Sequence, residues 1–466
     1  MEIKITSQDI IWSYGSKILQ IGSGILVLPL ILKKLTNQEI GIWYIFIAVT
    51  ALVNLVDFGL QPNISRNMSY IFSGASELMK EGTNVKIKDK ITYELLMRFI
   101  GSVRRLYQGI AFFAFIIQIT IGTYFIYDIA KDKLPLDKVL VSWGIYAISS
   151  SFNLCYYYYT SLLIGQGKLK ESNKALVYSK LIYIFSTLLM LSLGFGLVGC
   201  SLSYLIDALV NRVLSRKYFY DKELKNMTKD LSLKYDAELV KMLWYNSKKF
   251  GFIAIAYFLM TRATTLIVGK FLSLEVVANY GLSVQLIDII VGISTMPLII
   301  LIPKLNMFAI KKKDNEFKSY TGVIWLMSTS IFIIGAISFI LIGNQLLFII
   351  KTPVKLINSY QLVILCLVNL LGINYTIFCQ IISTNNTVPY YKASILSGIG
   401  IVSFSFILLK YSNLGLDGVI FAPLIIQLLY NFWKWPVFFM KKFNTSYKEL
   451  VQLGYLFLKN QFKEKF

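Results

Sequence analysis

Runs of 18 or more apolar residues recur along this 466-residue chain, and that single feature decides what it can fold into. In lipid every backbone N–H and C=O must find a partner inside the protein, so unbroken apolar runs of this length read as transmembrane helices. We place twelve, at residues 10–32, 40–60, 107–127, 139–164, 175–195, 197–214, 249–270, 277–302, 321–343, 359–382, 393–411 and 416–440. The first run is too long for a signal peptide and lacks a small-residue cleavage site, so it stays as a span. Only 15% of the residues are charged and the mean hydropathy is +0.61, too little charge to cover a water-soluble surface of this size.

Loop charge sets the orientation. With the N-terminus inside, and residues at the ends of spans counted with the adjoining loop, 35 of the 47 Lys and Arg fall in inside segments, 9 in outside loops and the other 3, Lys17, Lys180 and Arg262, within spans. That bias places both termini in the cytoplasm. It also gives the net charge of +22 a plain role, facing anionic lipid rather than nucleic acid. The chain has no histidine, which removes His-based catalysis, His metal sites and His proton relays. Cys155, Cys200, Cys366 and Cys379 lie in apolar runs without CxxC spacing and read as small buried residues. No cofactor and no metal site is expected.

Two inside loops are long. Residues 61–106 include "KIKDKITYELLMRFIGSVRRLY" and residues 215–248 include "DAELVKMLWYNSKKF". Both mix basic and apolar residues at helical spacing and predict short amphipathic helices on the inner leaflet. The second loop divides the spans into six and six. The expected organisation is an N-terminal bundle at 1–214, an amphipathic linker at 215–248, a C-terminal bundle at 249–440 and a basic tail at 441–466. Weak internal similarity supports the division. Aligning Leu35 with Leu272 places Thr36 on Ser273, Gly41 on Ala278 and Trp43 on Tyr280, while "GLVG" at 196–199 opens span six and "GLDG" at 415–418 opens span twelve. Six helices per half give both halves the same topology, hence parallel repeats with a cavity between the bundles.

Ionisable residues inside spans are costly and mark function. Lys17, Asp57, Asp207, Arg262 and Asp288 lie well inside, whereas Lys180 sits near an end where its amine can snorkel. Counting about 1.5 Å per residue, Lys17 is about 10 Å deep and Arg262 about 20 Å deep. Spans one and seven would then present cations at different depths, suited to an anionic group crossing the membrane. Arg262 also has a structural reading, an ion pair with Asp288 or Asp57. Asp207, with Asn211 one turn on, reads equally as a cation-coupling carboxylate or a buried hydrogen-bonded group. In "CYYYYTS", Tyr156, Tyr157, Tyr158 and Tyr159 follow Asn153 and read either as a glycan path or as interfacial anchors.

The layout of an all-α polytopic protein with two pseudo-symmetric six-helix bundles resembles the multidrug/oligosaccharidyl-lipid/polysaccharide exporter superfamily. "DFGLQPNISRNMSYIFSGA" at 57–75 is similar to the D-F-G-L-x-x-x-x-x-R stretch of Wzx-type O-antigen flippases, and "LTNQEIGIWY" at 35–44 to their entry into span two. Arg66, the last residue of that pattern, is a candidate gating residue. The resemblance implies a cationic cavity between the bundles. It implies an undecaprenyl-pyrophosphate-linked oligosaccharide, an O-antigen or capsular repeat unit, carried from the inner to the outer leaflet of a bacterial cytoplasmic membrane by alternating access. It further implies coupling to H+ or Na+, pyrophosphate binding by Arg262 and Lys17, charge balance by Asp57, Asp207 and Asp288, and partners in the polysaccharide polymerase and chain-length machinery. Competing readings are a multidrug extruder, a peptidoglycan-precursor flippase and, more remotely, a membrane enzyme such as an O-antigen polymerase. The outside loops are too short to hold a catalytic domain.

Overall fold

A computed structural model describes residues 7–57, 59–78, 91–310, 313–350, 352–383 and 389–463. It divides into two compact units, Met1–Ile255 and Ala256–Phe466. Among the described residues the regular structure is helical in both units.

The first unit opens with α1 (Ser7–Lys34), α2 (Asn37–Asn54) and α3 (Leu60–Phe72). There follow α4 (Tyr93–Ile117), α5 (Thr123–Ala130), α6 (Leu136–Cys155) and α7 (Tyr158–Gly165). It continues through α8 (Leu169–Ser192), α9 (Gly196–Phe219), α10 (Lys222–Met227) and most of α11 (Ala237–Thr261). The second unit holds α12 (Ala263–Phe271), α13 (Leu274–Ser294), α14 (Met296–Ile310), α15 (Asp314–Ile350) and α16 (Ser359–Ser383). It ends with α17 (Tyr391–Tyr411), α18 (Leu416–Leu429), α19 (Asn431–Lys442) and α20 (Tyr447–Lys463).

Among the described residues ten helices are long and apolar enough to cross a membrane, and an eleventh is the bent pair Gly251–Thr261 and Ala263–Phe271. The remaining sequence-derived span, 139–164, is α6 and α7 separated by a turn at Tyr156–Tyr157. Span twelve is also interrupted, at Tyr430 between α18 and α19. Residues 79–90, which hold the basic start of the first expected amphipathic stretch, and Phe58 of the DFGL motif lie outside the described residues. Residues 447–463, read from the sequence as tail, form α20, packed along α15. The contact is backbone to backbone, since a side chain on Gly322 would collide with the Leu450 carbonyl oxygen.

The two halves repeat each other in local chemistry. Thr36 caps α2 with a reciprocal pair of bonds, its Oγ1 accepting from the Glu39 N–H at 3.2 Å while Glu39 accepts from the Thr36 N–H at 2.9 Å. Ser273, its aligned counterpart, caps α13 by accepting from Val276 N–H. Gly196 and Gly415, which begin the two GLxG motifs, both have φ +53, a conformation open to glycine at little cost. A Cβ on Gly199 would come within 2.9 Å of Met190 Cβ, and one on Gly418 within 2.9 Å of Leu408 Cβ. The last glycine of each motif thus faces the preceding long helix in the same way.

Packing inside the first unit is strongly aromatic. Phe46 meets Trp143 with ring centres 5.2 Å apart, and Tyr146 stacks on Tyr204 at 4.6 Å. Outward-facing Phe112, Phe113, Phe185, Ile334, Leu341 and Phe348 stay exposed, as lipid contact requires and water would not favour.

Candidate functional site

In the second unit the helical ladder breaks at Arg262, between α11 and α12, with a bend of 40°. The Arg262 N–H still bonds Phe258 O at 2.8 Å, and its carbonyl accepts from Thr265 N–H at 3.1 Å. The Arg262 guanidinium reaches Asp288 on α13, with Nη2 2.8 Å from Oδ2. Both side chains keep about a third of their surface open, 31% and 39%. The pair is therefore neither sealed in the core nor fully in solvent. Of the two sequence readings offered for Arg262, the ion-pair geometry is present, with Asp288 as the partner. Asp57 belongs to the first unit and is engaged there.

Beside this pair lies a cavity of about 360 Å³. Its wall is mainly apolar, with Met260, Val284, Leu298 and Phe432 among the lining residues, and includes the polar residues Asp288, Asn369, Gln380 and Gln427. The second helix break of this unit reaches the same space through Gln427 and Phe432, on either side of Tyr430. Asn431 ties that break together, donating to Ser397 Oγ at 2.8 Å and to Gln427 Oε1 at 2.9 Å while accepting from Trp435 Nε1 at 3.0 Å. Broken helices at membrane depth free backbone and side-chain polar groups, and proteins tolerate them where they line a cavity.

The first unit contains a different set of buried polar groups. Asp57, in the turn that ends α2, accepts a hydrogen bond from Tyr107 Oη. Lys180 does not snorkel to a surface. Its amine meets Asp207 Oδ2 at 2.7 Å, because close packing of α8 on α9 brings that carboxylate within reach. Asn211, one turn on, donates to Ser179 Oγ at 3.1 Å across the same interface. The other oxygen of Asp207 is buried without a hydrogen-bond partner among the described residues.

Arg212 is the residue that sequence reasoning missed. Charge counting groups it with the basic inner loop, yet it is only 6% exposed. Its Nε donates to Asn153 Oδ1 at 2.7 Å and its Nη1 to Thr160 Oγ1 at 2.9 Å, while the guanidinium lies 4.5 Å from the centre of the Tyr157 ring. One side chain from α9 thus holds both sides of the α6–α7 break. The signal was available in the span itself, where Asp207, Asn211 and Arg212 fall within six residues of an otherwise apolar helix.

The tyrosine run divides. Tyr158 and Tyr159 are buried in the core, ring to ring with Tyr107 and Phe219, whereas Tyr156 and Tyr157 are half-buried at the break. Arg66, on α3, is exposed and donates to Asn63 Oδ1 at 2.8 Å, and Asn63 in turn donates to Ser247 Oγ of α11 at 2.7 Å. Lys17 is exposed on α1 and donates to Gln20 Oε1 at 3.5 Å. The structure therefore joins Arg262 with Asp288, and Asn153 with Tyr157 through Arg212. Among the described residues, neither Asp57 nor Asp207 is hydrogen-bonded to either set, although the Asp207 charge acts on Arg212.

No protein-family model matches the chain, and no curated protein matches it by sequence. Solved structures do match in fold. A multidrug resistance MATE family transporter of the MOP superfamily, in an inward-facing conformation, aligns with a TM-score of 0.67 at 11% identity, over 92% of this chain and 96% of that one. The MATE multidrug transporter DinF-BH, in a complex with a small molecule, aligns with a TM-score of 0.64 at 13% identity, over 96% and 97%. The lipid II flippase MurJ, in an inward closed conformation, aligns with a TM-score of 0.60 at 13% identity, over 96% and 90%. The chain thus has the helical fold shared by these multidrug transporters and this lipid flippase.

Proposed function

We propose that the chain is a flippase for a lipid-linked oligosaccharide, carrying an undecaprenyl-pyrophosphate repeat unit of O-antigen or capsule type from the inner to the outer leaflet of a bacterial cytoplasmic membrane. The observation that carries this reading is the half-open Arg262–Asp288 pair at a helix break beside a mainly apolar cavity that carries a few polar side chains. An arginine remains charged and offers forked donors that match phosphate oxygens. While Asp288 is ionised it holds the guanidinium. When Asp288 takes up a proton or a sodium ion, the guanidinium is released to a pyrophosphate. Cation uptake and anion binding then exchange at a single side chain, which is one way to couple a flippase to an ion gradient.

A cavity of about 360 Å³ is at the lower end of ligand pockets, so it suits the charged head and one sugar rather than a whole repeat unit. Tyr156 and Tyr157 remain the candidates for sugar contact. Lys17, exposed on α1, would meet the anion at another point of its path.

A second reading has an observation of its own. The charged side chain on the cavity wall is Asp288, as an exporter of organic cations would require. Reconstitution separates the two. Proteoliposomes carrying the fluorescent lipid-linked glycan on one leaflet should expose it to a membrane-impermeant glycosidase when a proton or sodium gradient is imposed. Movement of an organic cation without movement of the glycan would reverse the assignment.

A further inference from the structure

A groove of about 700 Å³ runs between α8 and α9 in the first unit, well away in sequence from the Arg262 site. Its lining is apolar apart from two tyrosine hydroxyls: Leu181 and Ile182 from α8 face Leu209, Val210, Val213 and Leu214 from α9. Tyr178 and Tyr218 close one end. The groove opens outward, for Leu181 is 48% and Val213 60% exposed. An open apolar face on a membrane protein is filled by hydrocarbon, and the charges around it decide which lipid prefers it.

Those charges are on one end only. Lys174 lies one turn below Tyr178, with Nζ 5.2 Å from the centre of the Trp12 ring, and Trp12 in turn packs on Tyr178 at 6.2 Å. Lys217 lies one turn beyond Val213 on the same face of α9 and is exposed, as is its neighbour Arg216. Glu171 and Asp221 are acidic residues at this end, Asp221 paired with Lys168, so with Lys174, Arg216 and Lys217 the cations prevail. This is the end that loop charge assigns to the cytoplasm, and the inference rests on that orientation rather than on the flippase reading. On α9 the lining runs from Leu209 to Tyr218, about 14 Å at helical rise. That matches one leaflet, about 15 Å of a hydrocarbon core about 30 Å thick.

We infer that the α8–α9 groove is a binding site for an anionic phospholipid of the inner leaflet, its acyl chain between the helices and its phosphate at Lys174 and Lys217. A polyprenyl carrier is too long for a groove of one-leaflet depth. A zwitterionic lipid would gain less, because its ammonium group offsets the attraction of its phosphate to the two lysines. Each lysine near an anionic headgroup adds about 1 kcal/mol, so the two together favour the anionic lipid by more than tenfold.

Native mass spectrometry tests this on the full chain. The protein is extracted from vesicles of equal parts phosphatidylglycerol and phosphatidylethanolamine, with undecaprenyl phosphate added in a second arm. The expected result is one retained phosphatidylglycerol on the wild-type chain. Its retention should fall about tenfold in the Lys174→Gln/Lys217→Gln double variant. A similar fall is expected in Val213→Trp, where the indole fills the groove. Leu209→Phe serves as a milder filling change if Val213→Trp folds poorly. Equal retention of phosphatidylethanolamine, displacement by undecaprenyl phosphate, or undiminished retention in both groove-filling variants would overturn the site.

Discussion

The amine of Lys180 on α8 stands 2.7 Å from Oδ2 of Asp207 on α9, and the other carboxylate oxygen of Asp207 is buried with no hydrogen-bond partner among the described residues. A buried ion pair gains enough from Coulomb attraction only when its remaining lone pairs are satisfied. Here the hydrogen-bonding offset to burial of the Asp207 carboxylate rests on Lys180.

The pair yields the first prediction. Breaking a buried pair costs roughly 3–5 kcal/mol, because the partner left behind is uncompensated. Asp207→Asn should therefore lower membrane abundance, and adding Lys180→Met should restore it. If Asp207 couples transport, the restored double variant will bind substrate yet fail to accumulate it under an imposed gradient in proteoliposomes. Wild-type transport by that variant, and by Asp288→Asn, would remove both carboxylates from coupling.

A second prediction concerns pH. Asp236 precedes α11 and is docked on α4, paired with Arg98, with Ser102 Oγ accepting from its N–H at 2.8 Å. Burial pushes its carboxyl upward, but the Arg98 hydrogen bond and the N–H groups of Glu238 and Leu239 outweigh it and hold the group below the ordinary carboxylate range. A depressed carboxylate stabilises the fold above the ordinary value of about 3.9 and loses that stabilisation as pH falls through the folded value. The start of α11 should loosen from α4 only below about pH 4. A bimane on Lys241→Cys, with Cys155 replaced by Ser, should report this transition, and Asp236→Asn should already show the loosened signal at neutral pH.

The contact between α15 and α20 gives a third. Gly322 and Gly454 let the two backbones touch, and Lys318 reinforces the contact by donating to Asn444 O at 3.0 Å. Gly454→Leu should force α20 off α15, at a cost of about 1–3 kcal/mol if the helices shift to accommodate it. Limited proteolysis should then cut within 444–463 well before the wild type is cut. Equal protection would mean that α20 is held by its aromatic contacts alone.

The fourth concerns orientation. Labelling from outside should reach Lys355→Cys and miss Asn226→Cys in a background without native cysteines. The reverse pattern would refute the positive-inside assignment and the depth estimates that depend on it.

Most of the helical layout was legible because lipid leaves a segment few options, and an apolar run of span length is a strong signal. The interruptions were not. At Tyr156–Tyr157 and Tyr430 the chain leaves the helix with neither glycine nor proline at the break; Arg212 from α9 clasps the first, and at the second Asn431, beside the break, reaches Ser397 on α17. Such clasps are tertiary, and no local pattern reveals them. The Arg262–Asp288 pair was legible as one of two alternatives, because span depth shows that a charge needs a partner and not which one. Lys180 was misread for the same reason, since its nearness to a span end said nothing about the carboxylate on the neighbouring helix.

The central claim is that Arg262 holds the pyrophosphate of a lipid-linked glycan and that Asp288 holds Arg262 in the meantime. Surface glycan and membrane abundance, measured together in Arg262→Ala, Arg262→Lys and Arg262→Ala/Asp288→Ala, test it most directly. The account predicts a normally abundant double variant with no glycan export, and partial export from Arg262→Lys, which keeps the charge but loses the fork. Wild-type export from a stable Arg262→Ala protein, or from the double variant, would contradict it.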